Sequence, residues 1–254
     1  MASQSPNINL YTTQTPNGIK ISITLEELGI PYIVHKIDIT KNIQKEPWFL
    51  AINPNGRIPA LTDTFTDGSQ INLFESGSIQ QYLVSRYDPE YKISFPPGSR
   101  ESFEVNNWLF FLNGGVGPMQ GQANHFTRYA PEIIQYGVDR YQNETRRLYG
   151  VLDAHLKEGN KEYLVGNKCT IADIAHWGWI AAAGWAGVSI EDFPALKAWE
   201  DRMAARPGVE KGKNVPSPYT MKELLADKEK MEHHAAESRK WVQAGMQEDA
   251  KKGK

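Results

Sequence analysis

Arg57-Ile58-Pro59-Ala60-Leu61 and, after one intervening segment, Phe74-Glu75-Ser76-Gly77 decide how this chain is read. A proline flanked by apolar β-formers has no N–H to give to a ladder. It belongs at the start or edge of a strand, and a cis bond there turns the Ile58 backbone toward an extended peptide. Glu75-Ser76 closes an apolar run (Ile71, Leu73, Phe74) and opens a helical pattern (Ile79, Tyr82, Leu83). A hydroxyl, helix N-terminal amides and a carboxylate then meet at one point, which suits a zwitterionic α-amino acid. The hydroxyl and amides take its carboxylate, the helix dipole adds to this, and Glu75 holds its ammonium. A small peptide with an amino-acid end is the ligand these residues fit.

Outward from this centre, the pattern predicts strands over 8–11, 32–37, 58–63 and 71–74 and helices over 18–28, 46–52 and 76–87. Helices alternating with strands, then two adjacent strands around Asp67-Gly68, predict a mixed sheet with helical cover. Asp88-Pro89-Glu90 and Phe95-Pro96-Pro97-Gly98-Ser99 interrupt both periodicities. The expected organisation is an α/β domain over 1–87, a linker over 88–100, an all-helical domain over 101–220 and a helical extension over 221–254. In the helical part, Val105, Trp108, Leu109 and Leu112 form one stripe, and Tyr141, Leu148, Leu152 and Leu156 part of another. Thr170-Ile171-Ala172-Asp173 reads as a capping box. Beyond Met221 the charges are mixed, with Met221, Leu224, Leu225, Met231, Ala235 and Val242 on a rough stripe, the mark of an amphipathic helix laid on the body or on a partner.

Composition narrows the class. With 254 residues, 40% of them hydrophobic, and a formal net charge of -2, the chain can bury one large core or two modest ones. That charge gives no reason to expect nucleic acid or an acidic membrane surface. No apolar run approaches a membrane span and the first residues lack the apolar centre of a signal peptide, so the cytoplasm is the expected compartment. The single cysteine, Cys169, allows no internal disulfide or two-cysteine cycle, and its expected role is a small buried filler. Any thiol chemistry then uses a thiol from the ligand. His233-His234 is not expected to hold metal, because adjacent helical residues point about 100° apart.

Together these motifs resemble the cytosolic glutathione transferases over roughly residues 8–209. The resemblance implies an N-terminal thioredoxin-like domain followed by a helical-bundle domain. Thr15-Pro16-Asn17-Gly18, Asn53-Pro54-Asn55-Gly56, Gly114-Gly115-Val116-Gly117-Pro118-Met119 and Arg140-Tyr141-Gln142 look like the bacterial disulfide-bond oxidoreductases of the Nu class. They are also similar to the related fungal nitrogen-regulator proteins of prion type, whose long Asn/Gln-rich N-terminal tract this chain lacks.

The resemblance implies glutathione as substrate, no metal, and a homodimer. Ile58 would pair by its backbone with the cysteinyl part beside Pro59, and Glu75 with Ser76 would hold the γ-glutamyl end. Gln44 matches a position contacting the glycine end, with Arg57 beside it; Arg140 matches an arginine that reaches a second glutathione. Thr15 and Asn17 match the residues facing the thiol and are the expected catalytic pair, with Tyr11 expected to be a strand residue. By themselves, Thr15 and Asn17 also suit a plain helix cap. Trp108, Phe110, Phe111 and Phe126 are candidates to line an acceptor pocket, helix core being the competing role for Trp108 and Phe111. The expected activity is disulfide reduction, conjugation to electrophiles, or both; the alternative is a glutathione-binding regulatory or scaffold module with little catalysis.

Overall fold

The computed structural model describes residues 6–252. Burial alternates along Ile8–Thr12 (β1), sending Ile8, Leu10 and Thr12 inward, as the two-residue period of a strand requires. Gly18–Leu28 (α1) follows and stops at Gly29, whose φ of 70° is the left-handed conformation that ends helices. Tyr32–Lys36 (β2) pairs parallel to β1. Two short 3₁₀ turns and Pro47–Leu50 (α2) lead to Ala60–Thr64 (β3) and Gln70–Phe74 (β4), then Ser76–Tyr87 (α3). The sheet has the order β2-β1-β3-β4, with β3 antiparallel to both neighbours. Two expected bounds move. The third strand begins at Ala60, because Pro59 offers no ladder N–H. The helix expected over 46–52 is confined to Pro47–Leu50.

Register places the functional end of the sheet. Tyr11 faces Ala60, Ala60 faces Phe74, and Thr12 faces Lys36. The ends of β1, β2 and β4 and the start of β3 therefore share one end, and the segments around Thr15, Gln44, Ile58 and Glu75 all leave from it. One face is covered by α1 and α3, where Ile21, Leu25, Ile79 and Leu83 meet Ile8, Leu10 and Leu61. The other carries a smaller cluster of Ile37, Phe49 and Ala60.

Residues 88–99 form turns tied by Asp88, which accepts from the amides of Lys92 and Ile93 and from the Ser94 hydroxyl. Helices Arg100–Phe111 (α4), Gly117–Asn124 (α5), Gln135–Lys157 (α6), Ile171–Ile180 (α7), Pro194–Ala204 (α8) and Pro207–Gly212 (α9) follow, with π-helical turns over 112–116 and 125–129 flanking α5. Every residue of α7 is buried, which explains its lack of a polar face. Its capping box is formed: Thr170 Oγ1 accepts from the Ala172 amide at 3.2 Å and Asp173 Oδ2 from the Thr170 amide at 2.9 Å.

The two halves are joined through α1 and α9. A Cβ on Gly212 would meet the Ile23 Cα at 2.4 Å, so these helices touch backbone to backbone. Ser22 Oγ donates to the Gly212 carbonyl at 2.7 Å, and Arg206 grips Glu27 through two bonds of 2.8 Å. The chain ends with Met221–Ala226 (α10) and Lys228–Lys252 (α11). α11 lies on the turn over 125–129: Ala235 is buried, Arg239 Nε donates to the Arg128 carbonyl at 3.1 Å and Gln243 Nε2 to that of Tyr129 at 3.2 Å. Among the described residues, no helix is long and apolar enough to cross a membrane.

Candidate active site

The turn Thr15-Pro16-Asn17-Gly18 gives the site its donors. Thr15 Oγ1 accepts from the Gly18 amide at 3.0 Å and the Thr15 carbonyl from the Ile19 amide at 3.1 Å, so Thr15 caps α1. Its oxygen is thereby occupied on the helix side while its own hydrogen remains to be given. Trp179 Nε1, at the end of α7, donates to Asn17 Oδ1 at 3.0 Å. That bond fixes which end of the amide is carbonyl, and the Asn17 NH₂ donates to no described residue. The turn also needs glycine: a Cβ on Gly18 would lie 2.1 Å from the Thr13 carbonyl oxygen and 2.6 Å from Thr12 Oγ1.

These donors open into a cleft of about 420 Å³. Thr15, Asn17, Gln44, Arg57 and Ile58 line it together, as does Lys45. Gln44 is buried, its Nε2 donating to the Ile39 carbonyl at 3.4 Å while Oε1 has no partner among the described residues. Asn53 Nδ2 donates to the Arg57 carbonyl at 2.6 Å, holding the turn that leaves the Arg57 side chain exposed at the mouth. The far wall comes from the helical half: Trp179 from α7 and Trp241, Val242, Gly245 and Met246 from α11.

Pro59, Glu75 and Ser76 lie at the same end of the sheet but outside that lining. The register that pairs Ala60 with Phe74 brings buried Pro59 beside Glu75. Glu75 stands at φ 65° and ψ 115°, a left-handed conformation that costs a residue with a side chain about 1–3 kcal/mol and persists mostly at ligand clamps. Its carboxylate is exposed, and Ser76 is the first, buried residue of α3. Behind it, Lys20 Nζ donates to Ser76 Oγ at 3.1 Å. Lys20 is only 2% exposed, and burial pushes its ammonium down to about 7, opposed by the charge of Glu75. Lys20 follows Asn17 by about one helical turn, so the surroundings of Asn17 and Ser76 are linked along α1.

Other expected residues lie elsewhere. Arg140 is not brought to the cleft: it lines a separate hollow on α6 with Tyr136, Asp139 and Glu144, its guanidinium over the Tyr141 ring at 5.9 Å. None of the four aromatics weighed for an acceptor pocket lines this cleft, Trp108 and Phe111 taking the helix-core role instead. Trp108 and Phe111 pack on the helical core beside His176, Phe110 is 71% exposed on the outside of α4, and Phe126 stacks on Tyr141. The apolar wall is Trp179 and Trp241 instead. Tyr11 stays in β1, stacked on His35 at 4.6 Å. Cys169 is buried against Met203, and burial pushes its thiol well up. Sequence reasoning missed Lys20, Trp179, Trp241 and Met246. Lys20 left a signal, a lysine between Ile19 and Ile21 in a helix with hardly a polar face; Trp241 adjoins Val242 of the expected stripe.

Comparison with known proteins bears on the family and the fold. The family described as Glutathione S-transferase, N-terminal domain, matches residues 16–86, and Glutathione S-transferase, C-terminal domain, matches residues 135–207. The chain is 43% identical over 216 residues to the glutathione S-transferase-like protein tpcF of Aspergillus fumigatus, covering 81% of this chain and 94% of that one. It is 42% identical over 202 residues to the disulfide-bond oxidoreductase YfcG of Escherichia coli, covering 79% and 91%. A glutathione transferase homologue from Lodderomyces elongisporus, crystallised with two glutathione molecules per subunit, superposes with a TM-score of 0.78 at 43% identity, covering 83% of this chain and 99% of that one.

Proposed function

Because the chain belongs to the glutathione S-transferase family, we propose that it binds glutathione at the sheet end and activates its thiol for attack on disulfides, with conjugation to electrophiles as a side activity. The γ-glutamyl carboxylate sits on the Ser76 hydroxyl and the first amides of α3, and its ammonium meets Glu75. The cysteinyl backbone runs along Ile58 beside Pro59, and the glycine carboxylate meets Gln44 and Arg57. The thiol then faces Thr15 and Asn17.

The observation that carries the reading is the Asn17 amide, held by Trp179 with its NH₂ available beside the Thr15 hydroxyl at the start of α1. A thiol of pKa about 8.5 is only a few per cent thiolate at neutral pH. Lowering it by about two units takes roughly 2.7 kcal/mol of preferential stabilisation of the anion. One hydrogen bond to a charged group supplies about 1.5–3 kcal/mol and a helix N-terminus about 0.3–1 kcal/mol, so this turn suffices.

Disulfide exchange balances without a protein thiol. The bound thiolate attacks one sulfur of the disulfide, forming a mixed disulfide and expelling the other sulfur as thiolate, which takes up a proton. A second glutathione thiolate attacks the glutathione sulfur of the mixed disulfide, giving oxidised glutathione and the second reduced thiol. The likeness to a disulfide-bond oxidoreductase favours this direction, and buried Cys169 takes no part in either reaction. The tryptophan wall opposite the thiol favours a second reading, conjugation of apolar electrophiles. The family resemblance supports a homodimer as part of this reading, and Phe103 and Phe110, seven residues apart on α4 and 62% and 71% exposed, offer an apolar face for it. The cytoplasm fits a reaction fed by reduced glutathione.

The test is steady-state reduction of a small model disulfide by glutathione, coupled to glutathione reductase, beside conjugation of a chloronitrobenzene. Faster disulfide turnover supports the proposal. Conjugation alone makes the protein a transferase of electrophiles, and binding of glutathione with neither turnover makes it a regulatory module.

A further inference from the structure

Lys20 is a buried amine for which the thiol chemistry has no use. Its Nζ lies 3.1 Å from Ser76 Oγ, at the start of α3, and the side chain is 2% exposed. An ammonium carries three donors and no acceptor, whereas a serine hydroxyl has one hydrogen and two lone pairs. When Lys20 is charged, Ser76 Oγ must accept from it, and the hydroxyl hydrogen turns away, toward the outer side where the α3 amides point. A neutral amine has a lone pair instead, and the same hydrogen turns inward to meet it.

We propose that Lys20 is a positioning residue that aims the Ser76 hydroxyl outward, so that an α-amino-acid carboxylate seated on Ser76 binds together with a proton on Lys20. This rests on the reading of Glu75 and Ser76 as the seat of the γ-glutamyl end. Among the described residues, the two titratable groups that bear on Lys20 are Glu75, at the junction of β4 and α3, and His176, on α7. Glu75 supports the ammonium. His176 is neutral near pH 7, because burial pushes it down to about 4. Burial also holds Lys20 down at about 7, so near neutrality the amine is balanced between its two forms. A carboxylate arriving at Ser76 adds a negative charge beside a group that water does not screen, and tips the balance to ammonium. By linkage, the proton favours the ligand as much as the ligand favours the proton.

The probe is S-methylglutathione, whose thioether has no thiol proton to confuse the count. Its binding to the full chain is measured by calorimetry between pH 6 and 8.5, in pairs of buffers that differ in ionisation enthalpy. The wild type is expected to bind with no net proton exchange at pH 6 and to take up a large fraction of one proton at pH 8, with affinity falling by up to about tenfold per pH unit above neutrality. Lys20→Met and Lys20→Gln are expected to bind more weakly at pH 6 and, at pH 8, to take up only the small fraction of a proton that the ligand's own ammonium requires. The ligand's own ammonium titrates in all three proteins, so the difference between them isolates Lys20. Wild-type binding without proton uptake at pH 8 overturns the inference by itself, whether or not the variants fold. Absence of binding at every pH overturns the glutathione reading, and this inference with it.

Discussion

Trp179 holds the carbonyl of Asn17, so a substitution at position 17 removes a donor from the cleft and leaves an indole N–H without its acceptor. Asn17→Ala is expected to lower kcat by about 10- to 100-fold, the worth of one hydrogen bond to a charged sulfur, while glutathione affinity changes little because Ser76, Glu75 and Gln44 are untouched. Turnover and equilibrium binding measured together check this; unchanged turnover removes Asn17 from the mechanism. Gly18→Ala has a different failure. Its Cβ would sit 2.1 Å from the Thr13 carbonyl, and overpacking of this kind costs about 1–3 kcal/mol, so thermal stability and turnover are both expected to fall. Turn and cap chemistry is local, so the helix entrance at Thr15-Pro16-Asn17-Gly18 and the helix start at Ser76 were legible in the sequence, whereas the role of Thr15 and Asn17 toward a thiol came from the resemblance alone. Trp179 was not legible, since its bond to Asn17 spans 162 positions and nothing in the pattern of α7 marks which tryptophan turns to the cleft.

Helix α7 concentrates the energetics of the helical half. Buried Asp173 accepts from the Thr170 and Leu164 amides and from Trp199 Nε1, each at 2.9 Å, tying the start of α7 to the preceding loop and to α8. Asp173→Ala orphans these buried donors at about 1–3 kcal/mol each, so a loss of at least about 3 kcal/mol is expected. At about 2–4 °C per kcal/mol that is a melting point lower by roughly 6–12 °C, readable by calorimetry. Asp173 and His176 lie within one turn of α7. The imidazole of His176 is buried, with Nδ1 2.8 Å from the Ala172 carbonyl and Nε2 without a partner among the described residues. Burial lowers it to about 4, while the unfolded chain titrates near 6.5. Between those values the unfolded state binds the extra proton, so stability is full above pH 6.5 and falls by about 3 kcal/mol as pH drops to 4. Urea midpoints across that range are expected to lose this limb in His176→Gln. The capping box of α7 was readable from four consecutive residues; the partners Leu164 and Trp199 were not, because tertiary packing alone selects them.

At the scale of the whole molecule, the cleft exists because three parts of the chain converge on one end of a small sheet. The alternation of strands and helices made the mixed sheet legible, and the break over 88–99 made the change to helices legible. The order β2-β1-β3-β4 and the docking of α9 on α1 follow from contacts too distant in sequence to leave a period. The stripe beyond Met221 announced a helix but not its seat. The structure lays α11 over the turn at 125–129 and turns Trp241, Val242 and Met246 to the cleft lined by Thr15 and Asn17. Burying one large apolar side chain is worth about 1.5–3 kcal/mol, so losing this wall should weaken an apolar acceptor by at least about tenfold in KM. Glutathione itself touches the opposite side in the proposed pose, and its affinity should change less than threefold. A chain ending at Asp227 and the point variant Trp241→Ala, assayed with a series of disulfides or electrophiles of increasing apolar size, check this. The penalty should grow with acceptor size and vanish for the smallest; a uniform loss across the series would mean that α11 braces the fold and takes no part in choosing the acceptor.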